Sequence, residues 1–134
     1  MSRIIHLSEA VSLGLHSMVL IAKSSELTNA NKIADATGAS KNHLSKVLQR
    51  LVKANFLKSY RGPSGGFVLK RAPKEISILD IFEAIEGTID TSGCPLDRPL
   101  CPFVDCMMGD MVTNVSEDFK KFFGANPGQA GAIA

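Results

Sequence analysis

Between residues 7 and 23 the apolar positions Leu7, Val11, Leu15, Met18 and Ala22 recur every three or four residues. That period predicts a helix. Leu13, Val19, Leu20 and Ile21 give it a second apolar side, so it is expected at the centre of a domain, covered from two directions. Ser8 and Glu9 suit its start, where a polar cap and an acid complement the helix dipole. Thr28-Asn29 marks the start of a short second helix, with Ile33, Ala34 and Ala36 expected inward and Gly38 closing it. Ser40 caps a third, in which Leu44, Val47, Leu48, Leu51 and Val52 fall at i, i+3, i+4, i+7 and i+8. Two short helices joined through a glycine-containing turn form the helix-turn-helix pattern.

The period then changes. Residues 56–60 and 67–71 read as short strands around Arg61-Gly-Pro-Ser-Gly-Gly66, whose glycines and proline predict a tight hairpin. Ser77 caps a fourth helix with Ile78, Leu79, Ile81, Phe82 and Ile85 buried, and Gly87 stops it. Residues 94–106 hold all three cysteines and three prolines. A last stripe of Val104, Met108, Met111, Val115, Phe119 and Phe122 has nearly the spacing of a coiled-coil seam. The expected fold is mostly α with a small β-hairpin wing: a winged helix-turn-helix plus a long C-terminal dimerisation helix. Residues 1–76 form the winged helix-turn-helix, and residues 77–123 form the cysteine-loop region and dimerisation helix within the same compact unit. The small-residue tail 124–134 is expected to be disordered. A winged helix has its own core, so an added amphipathic helix needs a second surface, most simply its twin in a homodimer.

Length changes this picture little: 134 residues suit one domain with a modest core. Charge changes it more. The net +2 conceals twelve Lys or Arg against three acids in residues 1–74, a net of +9. Residues 75–134 carry three against ten, a net of −7. Such a split marks a basic working half. Opposite the apolar stripe of the third helix lie Lys41, Asn42, His43, Ser45, Lys46, Gln49, Arg50 and Lys53. With Ser40, the residues near its N-terminus occupy the part of a helix-turn-helix that meets base edges. Lys58, Arg61, Gly62, Ser64 and Gly65, with Lys70 and Arg71 nearby, make the hairpin a basic wing whose cations and backbone amides suit phosphates. The expected partner is double-stranded DNA.

The cysteines carry the remaining chemistry. Six residues separate Cys94 from Cys101 and four separate Cys101 from Cys106. This is near ligand spacing, but three thiols fall one short of a closed tetrahedral or cluster site. An unmetallated, redox-active thiol loop and a zinc site are the other readings. An odd number of cysteines and no secretion signal argue for a reducing cytoplasm and against a disulfide framework. No apolar run reaches the length of a membrane span. No nucleophile comes with a base and orienting group, so neither enzyme activity nor a small-molecule substrate is expected.

The run Ile33-Ala-Asp-Ala-Thr-Gly-Ala-Ser-Lys-Asn-His-Leu-Ser-Lys-Val-Leu-Gln-Arg-Leu51, then Arg61-Gly-Pro-Ser-Gly-Gly-Phe67, then a cysteine-rich segment, resembles the Rrf-two family of bacterial winged-helix transcription regulators, in its IscR- and NsrR-like branch. The resemblance covers roughly residues 1–123. It implies a homodimeric regulator whose operator affinity depends on an iron–sulfur cluster, [4Fe-4S] or [2Fe-2S], sensing redox state, nitric oxide or iron–sulfur supply. Its ligands would be Cys94, Cys101 and Cys106, although the spacing departs from the family's commoner five-and-five. The histidine that follows the third cysteine in some members is absent, since Met107, Met108 and Gly109 stand there. An acid near the start of the first helix, donated by the partner subunit, completes the site in others. That position falls on Glu9, with His6 and His16 as further candidates. A cluster-free, thiol-based redox regulator is the alternative, and a small iron–sulfur electron-transfer protein the more distant one.

Overall fold

The computed structural model describes residues 7–89 and 111–124. Five helices and one hairpin follow in order: α1 (Glu9–Lys23), α2 (Ala30–Thr37), α3 (Lys41–Lys53), β1 (Leu57–Tyr60), β2 (Gly66–Leu69), α4 (Ile78–Glu86) and α5 (Met111–Phe123). A single 3-10 turn, Pro73–Glu75, lies between β2 and α4. The architecture is the mostly helical winged helix that the hydrophobic pattern predicts.

The helix ends form for local reasons. Ser8, Asn29, Ser40 and Ser77 each sit in extended backbone, and each side-chain oxygen accepts from a backbone N–H three residues on. At Ser77 the arrangement is reciprocal, because the Asp80 carboxylate accepts from the Ser77 N–H at 3.0 Å. Gly38 closes α2 in the left-handed region, its N–H returning to Ala34 O. At the end of α3, Asn55 has φ 67°, a conformation that a short amide side chain tolerates better than most residues. Its Oδ1 accepts from Lys70 Nζ at 3.1 Å, fastening that turn to the end of the hairpin.

Helix α1 lies at the centre, packed against α2, α3, α4 and β2. Val11, Met18, Ile21, Ile33, Leu44, Val47, Leu48, Leu51, Phe56, Leu57, Ile76, Ile81 and Ile85 make one continuous core. At the α1–α4 crossing Gly14 leaves room for the Ile85 side chain, whose Cδ1 would stand 2.4 Å from a Cβ there. Three apolar positions expected inward turn outward: Ala36 on α2, Leu20 on α1, and Leu7 just ahead of α1. The short α2 buries only Ile33 and Ala34. Ala36 and Leu20 line an open groove with Leu15, Val19 and Thr37 instead.

β1 and β2 pair antiparallel from Leu57 opposite Leu69 to Tyr60 opposite Gly66. One further bridge joins them to the α1–α2 connection: Thr28 N–H donates to Phe67 O at 3.1 Å and Phe67 N–H to Thr28 O at 2.9 Å. The wing is thus attached to the body near the turn end of its ladder as well as at its base, since Phe67 stands opposite Ser59, one pair in from Tyr60 and Gly66.

Helix α5 docks on α4 through Phe119, whose ring meets Phe82 edge-on at 5.3 Å. The coiled-coil-like stripe therefore divides. Phe119 faces its own chain, whereas Met111, Val115 and Phe122 are about half exposed. Val104 and Met108 lie outside the described residues, and α5 from Met111 to Phe123 is 13 residues long. The tail from 125 also lies outside them.

Candidate nucleic-acid interface

Burial of Leu44, Val47, Leu48 and Leu51 fixes the rotation of α3 and turns its other side to solvent. Lys41, Asn42, Ser45, Lys46 and Gln49 are exposed there, with His43 half-buried at the margin. The first turn of α3 is acid-free. Its N-terminal amides and dipole therefore add to the lysine charges in favouring an anion. The Ser40 hydroxyl is engaged in the cap, accepting from His43 N–H at 3.2 Å.

The wing supplies the second part. Arg61, Gly62, Pro63 and Ser64 are exposed at its tip. Gly62 has φ 106°, unfavourable for any side chain, and Gly65 N–H donates to Gly62 O across the turn at 3.0 Å. A Cβ on Gly65 would stand 2.2 Å from Tyr60 O. Glycine at 62 and 65 is therefore a steric requirement of the turn that holds Arg61 at the tip. Lys58 and Tyr60 project from the exposed β1 strand, with Lys58 Nζ 5.2 Å from the Tyr60 ring centroid. Lys70 and Arg71 serve the base of the wing: Lys70 reaches Asn55, and Arg71 stacks over Phe56 at 5.1 Å.

Arg50 takes a different direction from its neighbours. Its Nη1 donates to the Ile85 carbonyl at 2.7 Å, in the last turn of α4. Exposure on a basic face does not reveal this, because a guanidinium long enough to reach a phosphate can also fold back onto a helix end.

Among the sensor candidates, Glu9 is the first residue of α1 and its side chain is 72% exposed. Its carboxylate lies 3.7 Å from His43 Nδ1. His16 is exposed on α1, where its Nδ1 donates to Ser12 O at 2.6 Å. Cys94, Cys101, Cys106 and His6 lie outside the described residues. Among the described residues no three His, Cys, Asp or Glu side chains cluster as a metal site would require.

A family model described as "Rrf2: Iron-dependent Transcriptional regulator" matches residues 7–125. The chain belongs to the Rrf2 family. The HTH-type transcriptional regulator NsrR of Bacillus licheniformis is 38% identical over 71 residues, 53% of this chain and 50% of NsrR. Among solved structures, CymR, "the Global Cysteine Regulator of B. subtilis", superposes with a TM-score of 0.71 at 26% identity, covering 88% of each chain. T. potens IscR superposes with a TM-score of 0.62 at 27% identity, covering 88% of this chain and 76% of IscR. The chain spans about half the length of the curated relatives it matches. These relatives are transcriptional regulators, not enzymes.

Proposed function

We propose that this Rrf2 chain is a DNA-binding transcriptional regulator whose operator affinity is controlled from the 94–106 cysteine segment. The observation that carries the DNA reading is the exposed start of α3, which has no acid of its own in its first turn, beside a glycine-built wing tipped by Arg61. Lys41, Asn42, His43, Ser45 and Lys46 read base edges and adjacent phosphates, while Lys58, Arg61 and the Gly62–Gly65 backbone hold the phosphates flanking the wing. Two copies, joined through α5, present two such faces to one operator. If a dimer neutralises about six to ten phosphates, the logarithm of its affinity falls steeply with the logarithm of salt concentration. Affinity that does not change between low and moderate salt overturns the reading.

For the input we propose an iron–sulfur cluster held by Cys94, Cys101 and Cys106, with Glu9 from the second copy as the fourth ligand. The donor set suits such a group. Thiolates are the usual cluster ligands, and a carboxylate is a weaker, more exchangeable oxygen donor. Glu9 is compatible with this role because its carboxylate is exposed at a helix start, and ligation would replace its 3.7 Å approach to His43 Nδ1. A bound cluster supplies a centre open to redox change and to attack by oxygen or nitric oxide. Protein purified without oxygen should be brown, with matching iron and sulfide content. Glu9→Ala should change the spectrum or the lifetime of that colour, and an unchanged cluster removes Glu9 from the site.

The superposition on CymR, of which an oxidized form is also solved for the Staphylococcus aureus protein, supports a second reading in which the three thiols act without a cluster. Colourless anaerobic protein with three titratable thiols decides for that reading. Zinc in stoichiometric amount decides against both.

A further inference from the structure

Three contacts close a ring around the junction of α1, α3 and α4. Glu9 at the start of α1 stands 3.7 Å from His43 on α3. Ser8, the cap of α1, donates its hydroxyl to the Glu86 carboxylate at the end of α4. Arg50, two turns beyond His43 on α3, donates to Ile85 O one residue before Glu86. On the α1–α4 side of the ring, Gly14 packs directly against the tip of the Ile85 side chain.

The position of Arg50 is chemically apt. The last carbonyls of a helix lack intrahelical partners and carry the negative end of its dipole. Gly87 N–H returns to Glu83 O, and the Ile85 carbonyl is taken by the Arg50 cation. The chain leaves α4 at Gly87 and reaches Cys94 seven residues later. The helix end held by Arg50 is thus the one that feeds the cysteine segment.

We propose that Arg50 is a positioning residue, tying the recognition helix to the end of α4 so that a change in the cysteine segment alters the pose of α3. It is not a phosphate contact. This inference rests on the reading that the cysteine segment controls operator affinity. It assigns the transmission to one hydrogen bond between two helices, rather than to the DNA face on which Arg50 is expected from sequence.

The test is a double-mutant cycle read by DNA binding. The probe is a fluorescein-labelled duplex selected in vitro from random sequence by the parent protein. Arg50→Met keeps much of the aliphatic stem and removes the donor, and circular dichroism checks that the variant is folded. Affinity is measured across a salt series for the parent, Arg50→Met, Cys101→Ala and the double variant. In the parent background Cys101→Ala is expected to shift affinity roughly 5- to 150-fold, the range of ordinary allosteric coupling. In the Arg50→Met background that shift should shrink to about twofold or less, with the salt slope unchanged. A shift of equal size in both backgrounds overturns the proposal. A slope reduced by about one for each copy that engages the duplex also overturns it with Arg50→Met, since that is the signature of a lost phosphate contact. If Cys101→Ala changes nothing in the parent, the control reading itself fails and the Arg50 proposal falls with it. Arg50→Lys, which retains a cationic donor, is the second variant and should restore part of the coupling. No restoration in a folded Arg50→Lys protein counts against a hydrogen-bonding role.

Discussion

The Ser40 hydroxyl accepts from the His43 N–H at 3.2 Å, so its oxygen is spent on starting α3 at the point where that helix would meet DNA. Ser40→Ala should cost about 1 kcal/mol of stability, typical of a lost N-cap, as measured by urea denaturation. Ser40→Asp separates the two uses of the position. A carboxylate still caps the helix and favours its dipole, so stability should stay within about 0.5 kcal/mol of the parent. Duplex affinity should nevertheless fall, because a negative charge now faces the phosphates. Arg61 has no such structural duty among the described contacts and is exposed at the wing tip. Arg61→Ala should leave the denaturation midpoint unchanged and lower affinity, reducing the salt slope by about one for each wing that engages the duplex. A changed midpoint would mean that Arg61 braces the hairpin.

The wing as an element depends on backbone proximity more than on side-chain packing. A methyl group at Gly65 would meet Tyr60 O at 2.2 Å and Arg61 C at 2.8 Å, and backbone atoms cannot swing aside as a flexible side chain can. Gly65→Ala should therefore cost about 1–3 kcal/mol, as overpacking does. It should also lower the salt slope by more than Arg61→Ala, since Lys58 and the tip amides are displaced together. Hydrogen exchange should show the loss confined to the hairpin; protection lost throughout α3 would contradict a local role. This element was legible in the sequence because glycine and proline at a turn record steric demands directly. The helix caps were legible for a similar reason, each being a contact over three residues. The Thr28–Phe67 bridge was not, because a single pair of backbone hydrogen bonds leaves no period and no special residue type. Ala36 misled for a related reason: a methyl group is equally at home on either face of an eight-residue helix. The Arg50 contact also escaped the sequence, since charge patterning identifies an exposed face and not the direction in which a long side chain folds.

At the scale of the whole molecule, α5 poses the question of assembly. Its inner side is fixed by Phe119 against Phe82. Met111, Val115 and Phe122 fall within about 40° of one another around the helix, at 100° per residue. They are 51%, 53% and 54% exposed, a run of large apolar side chains along a helix that already has its intrachain contact. Grouped exposed apolar surface of this kind marks an interaction site more often than chance scatter does. The same face on a second copy is the self-complementary occupant that two-fold symmetry provides. Val115→Lys combined with Phe122→Lys should turn a sedimenting dimer into a monomer while leaving helicity unchanged. Glu117→Lys is the control, exposed and about 120° from Phe122-side residues such as Met111, and it should sediment as the parent does. DNA binding should follow assembly. A monomer presents one α3 and one wing, so its salt slope should fall to about half that of the parent, because the slope counts phosphates neutralised. An unchanged sedimentation coefficient in the double-lysine variant would show that this face does not join the two copies. A monomeric variant with an undiminished slope would show that one copy already makes every phosphate contact.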